Sequence, residues 1–205
     1  MLISVEKDGS IIIKLPEGTK KDEIDKLIKS KEKWILNKVA FVKNRSKLKS
    51  DEILYLGYAY SYKIILQRFL KKDFIYFNGQ DFYVNVKDEK NTKIALELWL
   101  RNSCEKFINE KVEKYQYRFN ISPKEVKIKK QKNRWGSCSY DNKIMINWKL
   151  IMASEEAIEY VVVHEMCHMI HKNHSNKFWN LVGEIMPNYK LASEWLKNNG
   201  YLLEL

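Results

Sequence analysis

The sequence predicts an α+β fold, in which a helix carrying all four histidines lies beside a short sheet and an N-terminal mainly-β part comes first. Three observations lead there. Short alternating or aromatic runs with Asp-Gly and Asn-Gly turns fill residues 1–90, with one helical pattern among them. Apolar residues then recur at helical spacing over 92–119. After two short strand-like runs, the remainder to residue 198 is helical in pattern, broken near His174 and at Pro187. The expected division is therefore 1–90 and 91–205, with enough chain for one sizeable core.

The elements follow in order. Residues 2–15 read as two strands around Lys7-Asp8-Gly9-Ser10, ended by Pro16 and Gly18. Ile24, Leu27, Ile28, Trp34 and Ile35 predict an amphipathic helix from about Lys21 to Val42. The polar, basic stretch Lys43 to Asp51 reads as a linker. Residues 53–67 set Tyr55, Tyr58, Tyr60 and Tyr62 among apolar residues, as in a strand pair or a bent strand, with the tyrosines used in sheet packing. FIYF and DFYVNV about Asn78-Gly79 form the clearest hairpin. Thr92 to Phe119 is a long helix without proline. Val126, Ile128 and Lys130 predict a strand and Ile144 to Trp148 another, with Asp141-Asn142 in the turn between them. Ser154 then caps a helix that runs to about Lys172, with Glu155 and Glu156 in the first turn where the helix dipole favours acids. Ser175 caps the next helix, Asn176 to Ile185, and Tyr189 to Asn198 forms the last, with Gly200 past its end.

The histidines occupy one short stretch: His164, His168, His171 and His174. His164-Glu165-Met166-Cys167-His168 has the pattern H-E-x-x-H. Residues four apart on a helix share a face, so His164 and His168 can aim two imidazoles at one metal ion. Glu165 projects to the same side and can deprotonate a water there instead of binding the metal. A hydrolytic zinc site takes three protein ligands, so a third is required. His174 reaches it if the chain turns near Lys172-Asn173. His171 lies seven residues past His164, about 10 Å along a straight helix, too far for both to reach one ion. Glu184, one helix later, is the remaining candidate.

This stretch resembles the YgjP-like metallopeptidase family of zincins, together with Asn133-Arg134-Trp135-Gly136-Ser137-Cys138, Ile146-Asn147-Trp148 and the Ser175-x-x-Phe178-Trp179 run. A looser likeness extends over the N-terminal part, and a weaker one to the SprT-like and WLM zincins covers the histidine helix and the strand before it. The resemblance implies a small zincin-like catalytic domain, with Zn2+ on His164, His168 and His174 and Glu165 as general base. It implies hydrolysis of a peptide or protein substrate. Asn133 to Ser139 falls just before the histidine helix, and two readings of it stay open: Trp135 to Cys138 as the rim of a substrate cleft, or Trp135 as a core anchor with Gly136 a bulge. Tyr189 and Arg134 are candidate oxyanion donors.

Composition sets the remaining bounds. No run of eighteen apolar residues is present, so no membrane span is expected, and the N-terminus lacks the pattern of a signal peptide. Cys104, Cys138 and Cys167 form no C-x-x-C pair and no disulfide framework, which points to a reducing, cytoplasmic setting, with Cys167 in the core. The net charge of +11 would attract polyanions. Two alternatives to a soluble zinc peptidase follow: a DNA-associated peptidase-like module, whose binding would weaken steeply with salt, and a structural zinc fold without turnover.

Overall fold

The structure, a computed structural model, describes residues 2–5, 10–45, 49–132, 134–200, 203 and 205. The chain forms two compact units, Met1–Ser50 and Asp51–Leu205. The expected boundary near residue 90 falls inside the second unit, because the helix that follows it packs directly on the strands that precede it. No described helix is long and apolar enough to cross a membrane.

In the first unit, β1 (Leu2–Val5) pairs antiparallel with β2 (Ile11–Lys14), with Ile3 opposite Ile13 and Val5 opposite Ile11. The Lys7-Asp8-Gly9 turn expected between them lies outside the described residues. α1 spans Lys21–Arg45, with Asp22 and Glu23 in its first turn. It takes up the start of the stretch expected as a linker; residues 46–48 of that stretch lie outside the described residues.

The second unit opens on the hairpin of β3 (Glu52–Tyr55) and β4 (Tyr58–Leu66). Leu56 and Gly57 make its two-residue turn, both with positive φ (49° and 85°). β5 (Phe74–Phe77) and β6 (Asp81–Val86) form the Asn78-Gly79 hairpin, and β6 then pairs parallel with β4, giving the order β3-β4-β6-β5. One face of this sheet meets α2 (Thr92–Gln116) through rings of Tyr55, Tyr60, Phe77, Phe82 and Trp99. Phe77 and Phe82 stack at 4.2 Å, and Trp99 meets Phe82 edge-on at 4.8 Å. Tyr55 and Tyr60 thus pack in the sheet as expected, whereas Tyr58 at the turn is 68% exposed.

The second sheet departs from expectation. β7 (Glu125–Lys129) and β9 (Lys143–Asn147) are present, but they run parallel. The Asp141-Asn142 turn joins β9 to a further strand, β8 (Gly136–Cys138), and the order is β7-β9-β8. Gly-Ser-Cys is too short and too weakly apolar to show a two-residue period, so the sequence conceals it. Asn147 holds the connecting loop. Its buried side chain donates to the carbonyls of Gln131 (2.9 Å) and Arg134 (3.2 Å), and its N–H donates to Trp135 O at 2.8 Å.

A 3-10 segment, Trp148–Met152, leads to α3 (Glu155–Ile170). Ser154 Oγ accepts from Ala157 N, as a capping serine should. The β3–β4 turn abuts this cap: Leu56 N donates to Ile151 O at 2.9 Å, and a Cβ on Gly57 would lie 3.0 Å from Ser154 Cα. α4 (Asn176–Ile185) and α5 (Tyr189–Asn199) complete the chain; Ser175 caps α4 by position, without a side-chain bond. α3 packs against α2, α4, α5 and β8. Ile158, Val161, Val162, Val163, Met166, Cys167 and Met169 are all buried. Three successive valines are poor helix formers, but burial of about 1.5–3 kcal/mol per side chain outweighs that preference.

α2 and α3 are also joined by charge. Glu159 on α3 accepts from Lys111 Nζ (2.6 Å), Lys114 Nζ (2.9 Å) and Tyr115 Oη (2.6 Å). Burial alone would raise its pKa, but these three donors outweigh it and bring the carboxyl from 4.5 to about 2. A carboxylate with a depressed folded pKa contributes stability above its unfolded pKa and loses it as pH falls. Glu159→Gln should therefore cost about 2 kcal/mol at neutral pH in denaturant melts. The gap from wild type should close between pH 4.5 and 2. A gap constant over that range would contradict this account.

Candidate metal centre

α3 carries His164 and His168 one turn apart, with ring centroids 4.9 Å apart. The helix stops at Ile170, and His171 leaves it with φ −118° and ψ 103° while its N–H still donates to Cys167 O at 2.9 Å. Lys172 anchors the departing chain. Its Nζ donates to Asn142 Oδ1 (2.5 Å) and Ser139 O (3.3 Å) in the β8–β9 turn. The chain then doubles back, and His174 Nε2 comes within 3.0 Å of His164 Nε2. His174 also lies 4.7 Å from His168, ring to ring. The ligand atoms of His164, His168 and His174 fall within 4.8 Å of one another. Two bonds of 2.0–2.1 Å at a tetrahedral angle span about 3.3 Å, so the three imidazoles are spaced for one ion of zinc's size.

Their outer nitrogens are held. His168 Nδ1 lies 3.0 Å from the carbonyl of His171. A carbonyl only accepts, so the proton sits on Nδ1 and Nε2 keeps its lone pair. His164 Nδ1 lies 3.4 Å from Tyr160 Oη. Trp179 stacks on His174 (5.5 Å, 24°), Tyr189 on Trp179 (5.6 Å, 17°), and Tyr160 on Tyr189 (6.3 Å, 18°). This column, drawn from α3, α4 and α5, links the partner of His164 to the ring of His174. Phe178, fully buried, packs against all three histidines.

Burial, and then the neighbouring imidazoles, bring the His164 pKa from 6.5 to about 3. His168 is lowered too, first by burial. Both shifts favour the neutral ring, the form whose lone pair can bind a metal. Glu165, 5% exposed, is the only buried acid among the described residues. Burial pushes its carboxyl from 4.5 up to about 8, against the smaller opposing pull of Arg134. Its Oε2 has no hydrogen-bond partner. A buried carboxylate oxygen without a donor, next to three converging imidazoles, fits a cation and a water at this place.

The other candidates lie elsewhere. His171 contributes its carbonyl rather than its ring, and Glu184 is exposed and paired with Arg118 (3.1 Å). Cys167 is buried, with its thiol pushed up to about 12 by burial, in keeping with a core role. Trp135 combines the two readings left open for it: it packs on the core and also lines a cavity next to His164 and Glu165. Tyr160 and the His171 carbonyl escaped the sequence reading, as did the stacking of Trp179 on His174. Tyr160 had a signal, one turn before His164; a backbone carbonyl has none.

Gly136 is where β8 meets Glu165. A Cβ there would stand 2.7 Å from Glu165 Cγ and Oε1. Gly136→Ala should displace the Glu165 carboxylate without touching the histidines. Hydrolysis is expected to fall about 10–100-fold, in line with misplacement of an acid–base group, while metal content stays at the wild-type level. Unchanged turnover would show that the close approach does not matter.

The description "YgjP-like, metallopeptidase domain" matches residues 1–199. A search of curated proteins finds no match. Among solved structures, the metallopeptidase zymogen abylysin of Pyrococcus abyssi is similar at 21% identity and a TM-score of 0.36, over 44% of this chain and 89% of that one. The metallopeptidase zymogen jannalysin of Methanocaldococcus jannaschii is similar at 24% identity and 0.38, over 48% and 96%. Overlaps this limited carry no argument about chemistry. The family match extends over almost the whole sequence, and on it the chain belongs to the YgjP-like metallopeptidases, metal-dependent hydrolases of peptide bonds.

Proposed function

We propose that the chain is a zinc-dependent metallopeptidase in which His164, His168 and His174 hold the ion and Glu165 moves the proton. The observation that carries this reading is the convergence of three imidazoles beside a buried carboxylate with an unpartnered oxygen. An all-nitrogen, tetrahedrally spaced donor set favours zinc, which would supply a Lewis acid that acidifies water and polarises the scissile carbonyl.

The chain's own residues do the rest. Glu165 Oε2 accepts a proton from the attacking water and delivers it to the leaving amine nitrogen. Burial raises this carboxyl to about 8, far above an exposed glutamate, which brings it closer to the pH at which one group can both take and give a proton. The His171 carbonyl and Tyr160 fix the rings of His168 and His164. β8 is an edge strand beside α3, and an extended substrate can add to it by main-chain hydrogen bonds. Arg134, close enough to lower the Glu165 pKa, and Tyr189, in the ring column, are the proposed oxyanion donors.

Metal content by mass spectrometry and hydrolysis of unfolded casein, measured on the same samples, test this. Wild type should carry one zinc per chain, and His174→Ala should lose it. Glu165→Gln should keep it and lose activity by about 10²–10⁴-fold. Zinc retained at full occupancy in His174→Ala would remove that ligand from the set. Full activity in Glu165→Gln would remove the base.

A further inference from the structure

Beside His164 and Glu165 lies a cavity of about 280 Å³, roughly nine waters' worth at about 30 Å³ each. One wall is α3. The opposite wall is α5, which presents Ser193, Leu196 and Lys197 at helical spacing. Trp135 closes one side; its indole is held against Gly200, where a Cβ would stand 2.7 Å from Cζ2. The walls are apolar where Val161, Leu196 and Trp135 meet the space, and Val161 and Leu196 are buried. Lys197 is exposed and has no ion-pair partner among the described residues. The one acid in the wall is Glu165, and Arg134 is close enough to act on it.

A pocket with apolar surface from Val161, Leu196 and Trp135 and an exposed lysine on its lining suits a short aliphatic chain that ends in a carboxylate. A carboxylate would gain a charge-assisted contact with Lys197 that a neutral side chain cannot make, and a basic one would meet a like charge. The net charge of +11 favours approach of acidic chains to the protein as a whole. We infer that this cavity is a substrate subsite for a carboxylate, held by Lys197 with Ser193 beside it, next to the bond that is cut. This rests on the peptidase reading and names its substrate class. The carboxylate comes from a glutamate side chain or from the end of the substrate chain.

The test uses the zinc-loaded full chain and two probes, the α-hydroxamates of N-acetyl-glutamate and N-acetyl-glutamine, with binding followed by calorimetry. The glutamate probe is expected to bind about tenfold tighter, as one charge-assisted contact allows. The ratio should fall to about one in Lys197→Met and reverse in Lys197→Glu. Because Lys197 is exposed, neither change should disturb the fold, and unfolding curves check this. Equal binding of the two probes, or a ratio that survives Lys197→Met, overturns the subsite. Casein hydrolysis on the same preparations separates the two readings. Cleavage without charge discrimination leaves the peptidase and removes the subsite; discrimination without cleavage does the reverse. Peptide substrates with free and amidated ends then distinguish the sources. Loss of the Lys197 dependence on amidation assigns the carboxylate to the chain end; its persistence assigns it to glutamate.

Discussion

A helix that is apolar around its circumference has to be enclosed on every side, and α3 is enclosed by α2, α4, α5 and β8. That enclosure costs helix propensity at Val161 to Val163 and is compensated by burial. It also fixes the rotation of α3. Once the valines and methionines face their neighbours, His164, Glu165 and His168 have one direction left to point. The hairpin tip at Gly57 sets where α3 begins, and the Lys172 anchor sets how the chain leaves it. His174 therefore arrives in a defined place rather than on a free loop.

The same packing sets the electrostatics. Rings at the edge of a core resist protonation, so His164 stays neutral and offers lone pairs instead of charge. A carboxyl pressed against Gly136 and cut off from water is pushed toward its uncharged form, and a cation placed beside it would favour the carboxylate again. Neither group is stable in these surroundings for its own sake; buried, unsatisfied polar atoms mark a place that expects a ligand. The Glu159 network shows the contrasting case, in which a half-buried carboxylate has three donors and a low pKa and joins two helices.

Much of this was legible in the residues. The ends of α4, the start of α3 at Ser154 and the Asn78-Gly79 hairpin follow local rules of capping and turn chemistry, and local rules survive folding. The i, i+4 spacing of His164 and His168 is of the same kind. The choice of His174 over His171 came from the rise of a helix, a length argument that needs no tertiary information. What stayed hidden was non-local. β8 has three small or polar residues and becomes a strand only because β9 is there to pair with it. The parallel pairing of β7 and β9 depends on the strand inserted between them in sequence. The boundary expected near residue 90 lies within the unit Asp51–Leu205, since the sequence shows where strands stop and helices begin, not that α2 packs on β5 and β6.

The account rests on three imidazoles meeting at one ion with room for a further ligand. X-ray absorption at the zinc edge of the metal-loaded full chain tests this most directly. It should report three nitrogens at about 2.0–2.1 Å, with the multiple-scattering signature of imidazole, and one oxygen at a similar distance. A sulfur shell near 2.3 Å, or only two imidazoles, would place the metal on other residues and contradict the site described above.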